Sequence, residues 1–284
     1  MFSMPLPAMD DDDARTYRRC IRHRNARTRS LLSALARDIE NAYEAYQAAR
    51  GNPRLLAPLA CSKDSEEALR TNFTLLNAGK PLADVRDILM RRARAGQSDQ
   101  DNQKCPMCGR ANIASLDHYL PQSRYPEFAI LSMNLVPVCG ECNRLKGNEC
   151  GDGTGGRFLH AYFDFLPSQP VLFARVSVTR RVTLAFELRK PPDMDQDLFE
   201  CLEFQFERLQ LALHFRRDAV DELSDRREAL ATWFEFGAAE AVSRYLKIEA
   251  DSAEKQRGVH YWRTALLRGV QRSIEFCDGG FRCL

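Results

Sequence analysis

The chain has 284 residues, and its 41 basic and 39 acidic side chains leave a net charge of +2. With 44% hydrophobic and 28% charged residues it fits one large or two modest globular domains. It also excludes a membrane span, because no apolar run reaches about 18 residues.

The opening "MFSMPLPAMDDDDARTYRRC" lacks the basic-then-apolar layout of a secretion signal. The expectation is a cytoplasmic protein with no membrane partner. So small a net charge does not by itself argue for nucleic acid. Most of the basic residues are arginine, however, which suits bidentate phosphate contacts. Residues 1–12 read as a loose arm. From Asp13 to about Arg50 apolar residues recur at helical spacing, with Leu31, Leu32, Leu35, Ile39, Tyr43 and Tyr46 on one stripe. The front of this helix carries Arg15, Arg18, Arg19, Arg22, His23, Arg24, Arg27 and Arg29. That run reads either as a solvated face or as a phosphate-facing surface.

Two more helices are expected over 64–78 and 81–95, the first capped by Asp64 or Ser65 and the second with Pro81 in its first turn. A polar linker, "AGQSDQDNQK", leads into the cysteine-bearing segment 105–150, and "GDGTGG" leaves it. "PVLFARVSV" and "RVTLAFELRK" read as a β-hairpin. Helices are then expected over 194–217, 218–235, 236–249 and 252–274. The aromatic stripe of the first, with Leu198, Phe199, Leu202, Phe206, Leu209, Leu213 and Phe215, reads as bundle core or as a docking face. The basic stretch 261–272 fits a nucleic-acid contact, a partner helix or its own core. The expected organisation is an N-terminal helical region (1–100), a cysteine-bearing core (101–166) and a hairpin with C-terminal helices (167–284). The fold class is α+β, mostly helical.

Cys105-Pro-Met-Cys108 and Cys139-Gly-Glu-Cys142 are two Cys-x-x-C pairs separated by 30 residues. Two such turns aim four thiolates at one ion and complete a tetrahedral zinc site with no open position, so this Zn²⁺ is expected to be structural. Cys20, Cys61, Cys150, Cys201, Cys277 and Cys283 read as reduced and mostly structural. Between the pairs stands Asp117-His118, with Pro121 just beyond. Asp117 is a hard oxygen ligand suited to Mg²⁺ or Mn²⁺. His118 takes a proton near neutral pH. Asn143 directly follows Cys142, and its amide oxygen is a candidate second ligand to the same cation.

The segments "CPMC", "LDHYLPQSRYPEF" and "NLVPVCGECNRLKG", in this order, resemble the HNH endonuclease family, the ββα-metal nucleases, in its zinc-stapled form. The match covers about residues 104–147. The resemblance implies an embedded β-hairpin followed by a helix, one divalent metal, and hydrolysis of phosphodiester bonds, in DNA first and in RNA or branched DNA as a further reading. Asp117 and Asn143 resemble the metal ligands, His118 the general base, and Asn134 the middle asparagine that orients the histidine. The last family position is often His; here it is Asn143. Arg144 and Lys146 on the following helix, with Arg124, are expected to contact phosphates. His160 reads either as a returning site contact or as a packed residue beside Tyr162, Phe163 and Phe165. Layouts of this kind resemble effectors of defence against phage, sometimes beside a regulatory ATPase. The other reading is a zinc-stabilised nucleic-acid or protein binding module that does not cut. Oligomeric state is not readable from the sequence.

Overall fold

The computed structural model describes residues 12–95, 104–151 and 156–284. Most of the expected N-terminal arm, of the polar linker and of the glycine-rich exit loop lies outside these residues. The chain divides into two compact units: Phe2–Phe165 with Glu200–Gln205, and Leu166–Phe199 with Phe206–Leu284. The first unit therefore holds both the N-terminal helices and the cysteine-bearing segment.

In the first unit the expected long helix is three: α1 (Asp13–Arg22), α2 (Ala26–Ala34) and α3 (Ala36–Ala49). The break after α1 comes from Asn25, whose side chain accepts the N–H of Thr28 and so starts a new helix. Leu32, Ile39, Tyr43 and Tyr46 are buried as expected. The arginine run is mostly paired with acidic or polar neighbours. Arg18 meets Glu40 at 2.8 Å, Arg19 meets Asp84 at 2.9 Å, and Arg27 meets Asp64 at 2.6 Å. Arg24 bonds Asn72, and Arg29 donates to Arg22 O at the end of α1 and to Arg24 O just beyond it. α4 (Lys63–Thr71) is capped by Ser62, not by Asp64 or Ser65, and runs into a 3-10 turn, Asn72–Leu76. α5 (Ala83–Ala95) starts two residues past Pro81.

The cysteine-bearing segment follows. β1 (Ser115–His118) pairs antiparallel with β2 (Leu135–Val138), Asp117 opposite Val136 and His118 opposite Leu135. α6 (Gly140–Lys146) follows directly. Residues 115–146 thus form two strands and a helix, with the long β1–β2 connection folded over one side.

The second unit opens with β3 (Leu172–Val178) and β4 (Val182–Leu188), an antiparallel hairpin in the expected place. α7 (Gln196–Arg208) and α8 (Leu211–Asp225) replace the expected helix 194–217, broken where Gln210 takes a left-handed φ of 51°. α9 (Arg227–Arg257) overrides the expected boundary at 249–252. It is not one straight rod, because Gly237 and Ala238 leave helical geometry. A straight helix would part residues 226 and 249 by about 34 Å. Arg226 instead reaches Glu249 at 2.7 Å and Tyr245 Oη at 2.8 Å, so the chain folds back on itself there. α10 (Trp262–Arg272) buries Trp262, Leu266, Leu267 and Val270, and a short α11 (Ile274–Cys277) follows. The aromatic stripe is divided between the units: Phe199, Leu209 and Phe215 are buried in this one, with the stretch 261–272, whose Arg263 and Arg268 pair with acids, while Leu202 is buried in the first unit. The fold is α+β and mostly helical, with two two-stranded sheets among the described residues. No described helix is long and apolar enough to cross a membrane.

Candidate metal centre and the Asp117–His118–Asn143 site

Cys105, Cys108, Cys139 and Cys142 are buried, and their sulfurs lie within 4.8 Å of one another, so they can hold a metal ion. Each knuckle is shaped by its own backbone. Gly109 takes φ +68°, which lets the chain turn after Cys108, and Arg110 N–H donates to Cys108 Sγ at 3.5 Å. Cys139 caps α6, its Sγ accepting Cys142 N–H at 3.4 Å. Arg110 and Glu141 form an ion pair that ties one knuckle to the other. Gln205 of α7, 1% exposed, donates to Met107 O at 2.9 Å and accepts Leu159 N–H at 3.1 Å. Its role is not visible in the sequence, because nothing local marks a residue that arrives from 98 positions away.

Asp117 and His118 are neighbours on a strand and therefore point to opposite faces. Asp117 faces α6. So does Ser115, two residues earlier, whose hydroxyl accepts Asn143 Nδ2 at 3.0 Å. That bond fixes the Asn143 amide with its oxygen as the free end. Asp117 and Asn143 thus both lie on the β1–α6 seam.

Lys146 changes the picture of that seam. It was expected to contact phosphate, but it is 2% exposed. One turn beyond Asn143, it turns inward, and its ammonium stands 3.1 Å from Asp117 Oδ2 and donates to His118 O at 2.7 Å. A side chain so enclosed does not reach a surface phosphate. Burial raises the Asp117 carboxyl above its usual range, and Lys146 pulls it partly back. Arg124 and Arg144 remain exposed, as phosphate contacts require.

His118 closes β1 on the other face. Its ring meets Phe73 edge-on at 4.4 Å, and Nε2 lies 3.0 Å from Ala129 O. A carbonyl only accepts, so Nε2 carries the proton and Nδ1 carries the lone pair. Among the described residues Nδ1 has no hydrogen-bond partner. Burial lowers the His118 pKa to about 4, against the Ala129 bond and with help from Lys146, which keeps the ring neutral near pH 7.

Asn134 is fully buried and fully bonded. Its oxygen accepts Leu120 N–H at 2.8 Å and Tyr46 Oη–H at 3.0 Å, and its amide donates to Leu120 O and Phe128 O, each at 3.1 Å. It makes no room for a metal. It clamps the β1–β2 connection that presents Ala129 O to His118. Tyr46 Oη lies 3.0 Å from His160 Nε2, and His160 Nδ1 accepts Tyr162 N–H at 3.3 Å. His160 is enclosed among Tyr119, Tyr162 and Phe163 and is packed, not a substrate contact. Burial lowers its pKa to about 3. Gly51, at φ +71°, passes so close that a Cβ would stand 2.7 Å from the His160 ring. Tyr125 and Phe128, within the connection, are buried.

No protein-family model matches the chain, and no solved structure matches it. The chain is similar to protein ea31 of Escherichia phage lambda, 27% identical over 191 residues that cover 62% of this chain. It spans 64% of that protein's own length.

Proposed function

We propose that this chain is a metal-dependent endonuclease of the HNH kind that hydrolyses phosphodiester bonds in DNA. The observation that carries the proposal is the pairing of two features at the end of β1. A hard-oxygen seam holds Asp117 and Asn143, and the next residue on β1, a neutral histidine on the strand's other face, keeps a free Nδ1 lone pair. A binding module has no use for such a histidine.

Two metals belong to this reading. The four-cysteine cluster suits Zn²⁺: a tetrahedron with bonds of about 2.3 Å has edges of about 3.8 Å, and Cys108 Sγ and Cys139 Sγ lie 3.9 Å apart. With all four positions filled by sulfur, that zinc would hold the segment and not react. One carboxylate and one amide oxygen, Asp117 and Asn143, suit a hard, largely hydrated cation such as Mg²⁺ or Mn²⁺. Such a cation offsets charge growing on a phosphate. His118 Nδ1 would accept the proton of the attacking water. Asn134 holds the connection that orients His118, and exposed Arg124 and Arg144 would meet flanking phosphates. A role against phage beside an ATPase rests on the resemblance alone.

One observation favours the second reading, a binding module that does not cut: Lys146 already supplies Asp117 with a positive charge. Plasmid conversion separates the two. Wild type with Mg²⁺ or Mn²⁺ is expected to turn supercoiled plasmid into nicked circles, and EDTA is expected to stop it. Inactivity on duplex DNA, single strands and RNA, with the cysteine-bound metal retained, would sink the nuclease reading.

A further inference from the structure

The hairpin β3–β4 has two unlike faces. Residues that pair directly across an antiparallel ladder share a face. On one side stand Leu172, Ala174, Val176 and Val178 with Val182, Leu184, Phe186 and Leu188, all apolar. This side packs on the unit's helices, Phe186 against Phe215 of α8 at 5.5 Å and Ala174 against Gly269 of α10. The other side carries Arg175, Ser177 and Thr179 with Arg181, Thr183 and Arg189, all exposed, and half-buried Phe173, Ala185 and Glu187. Arg180 adds a further exposed charge at the tip.

The charges on this outward face do not cancel. Its one carboxylate, Glu187, is taken by Arg189 at 2.5 Å. Arg175, Arg180 and Arg181 form no ion pair among the described residues. Elsewhere in the same unit Arg226 pairs with Glu222 and Glu249, Arg263 with Glu222, and Arg268 with Asp251 and Glu254, while Arg216, Arg217 and Arg272 are exposed without an ion pair among the described residues. Arg175 stands across from Ala185, a small residue that leaves its guanidinium unobstructed. The only large apolar side chain, Phe173, lies under the Arg189 guanidinium at 4.7 Å. A face with open guanidinium groups, hydroxyls and no free apolar anchor lacks the core of a protein interface and matches a phosphate backbone.

We propose that this face is a sequence-independent contact for the phosphate backbone of duplex nucleic acid, made by Arg175, Arg180 and Arg181. Seven residues of ribbon extend about 23 Å, enough to lie along roughly seven base pairs. The contact rests on the nuclease reading, which supplies its substrate class. It adds a grip carried by residues outside the Asp117–His118–Asn143 site.

The test is binding of a fluorescent duplex without divalent cations, so that no cutting occurs, by the full chain with its cysteine-bound metal. Wild type is compared with Arg175→Ala/Arg180→Ala/Arg181→Ala and with the matching triple Lys variant, over a salt series. Circular dichroism should be unchanged, because all three side chains are exposed. The alanine triple is expected to bind about 10- to 100-fold more weakly near 0.1 M salt. Its log K against log salt slope should fall by roughly 0.9 for every phosphate that is no longer neutralised, and the lysine triple should keep most of the slope. Equal affinity and slope for wild type and the alanine triple would overturn the proposal, as would a wild type that binds no duplex. Plasmid nicking is scored separately. An alanine triple that binds like wild type beside a wild type that nicks removes this face and leaves the nuclease reading. A face-dependent affinity without cutting does the reverse. DNA and RNA duplexes run side by side identify which backbone is preferred.

Discussion

Lys146→Met offers a direct view of the β1–α6 seam. Methionine keeps the length of the stem and removes the ammonium. Asp117 is then a buried carboxylate without its counter-charge, 7% exposed, and the His118 carbonyl loses its donor. Removing one partner of a buried pair costs about 3–5 kcal/mol, and at roughly 2–4 °C per kcal/mol this lowers Tm by about 6–20 °C. The pH dependence has a definite sign. Burial already raises the Asp117 carboxyl, and Lys146 opposes that rise. Without Lys146 the folded-state pKa climbs further above the unfolded value, so the folded variant is favoured in its protonated form and is penalised as pH rises through that pKa. The deficit against wild type should therefore be largest near pH 8 and shrink on acidification. Asp117→Asn in the same chain removes the stranded charge and should recover much of the loss. Thermal melts of wild type, both single variants and the double variant at two pH values measure all of this. A deficit that is the same at both, or a double variant no better than Lys146→Met, would rule out a stranded Asp117 charge as the cause.

Three other outcomes follow from single contacts. Gly51→Ala, which forces a left-handed φ on alanine and drives its Cβ into His160, should destabilise by about 1–3 kcal/mol in urea melts. His118 and His160 have folded-state pKa values lowered to about 4 and about 3, so both stay neutral in the fold while the unfolded chain protonates near 6.5. Their stability is present above pH 6.5 and lost as pH falls, by up to about 2.7 kcal/mol per pH unit together; urea melts between pH 6.5 and 4.5 check the slope, and His160→Gln should halve it. Ala238 sits at φ 50° and ψ −147°, a region natural to glycine, so Ala238→Gly should raise stability by about 1 kcal/mol, read as a shift in the urea midpoint.

The parts of the site set by short spacing were readable in the sequence. Cys-x-x-C turns, the Asp117-His118 pair, Asn143 beside Cys142 and the β3–β4 alternation depend on neighbours a few residues apart. Helix ends were less readable. The arginine-rich N-terminal stretch keeps a helical period across Asn25 and Leu35, so the period alone hides the two breaks, although Asn25 carries a cap signal. At Gly237–Ala238 the reverse holds: a break was expected at 235–236, yet only the structure shows the chain turning back. The inward turn of Lys146 was not legible, because a lysine after Arg144 on a short helix ordinarily faces solvent. Nor was the clamp on Asn134, whose partner Tyr46 lies 88 residues earlier. Sequence spacing places residues along an element, whereas long-range burial decides which of them turn inward.

The proposed chemistry turns on His118 acting as a base at its free Nδ1, and chemical rescue isolates that step. Plasmid nicking in Mn²⁺ is measured for wild type and His118→Ala, with the cysteine-bound metal verified in both and imidazole added over a concentration series. Removing the ring leaves a cavity against Phe73 that an imidazole can enter. If His118 is the base, His118→Ala is inactive and imidazole restores nicking in proportion to its concentration. If His118→Ala nicks as fast as wild type, His118 is not the base.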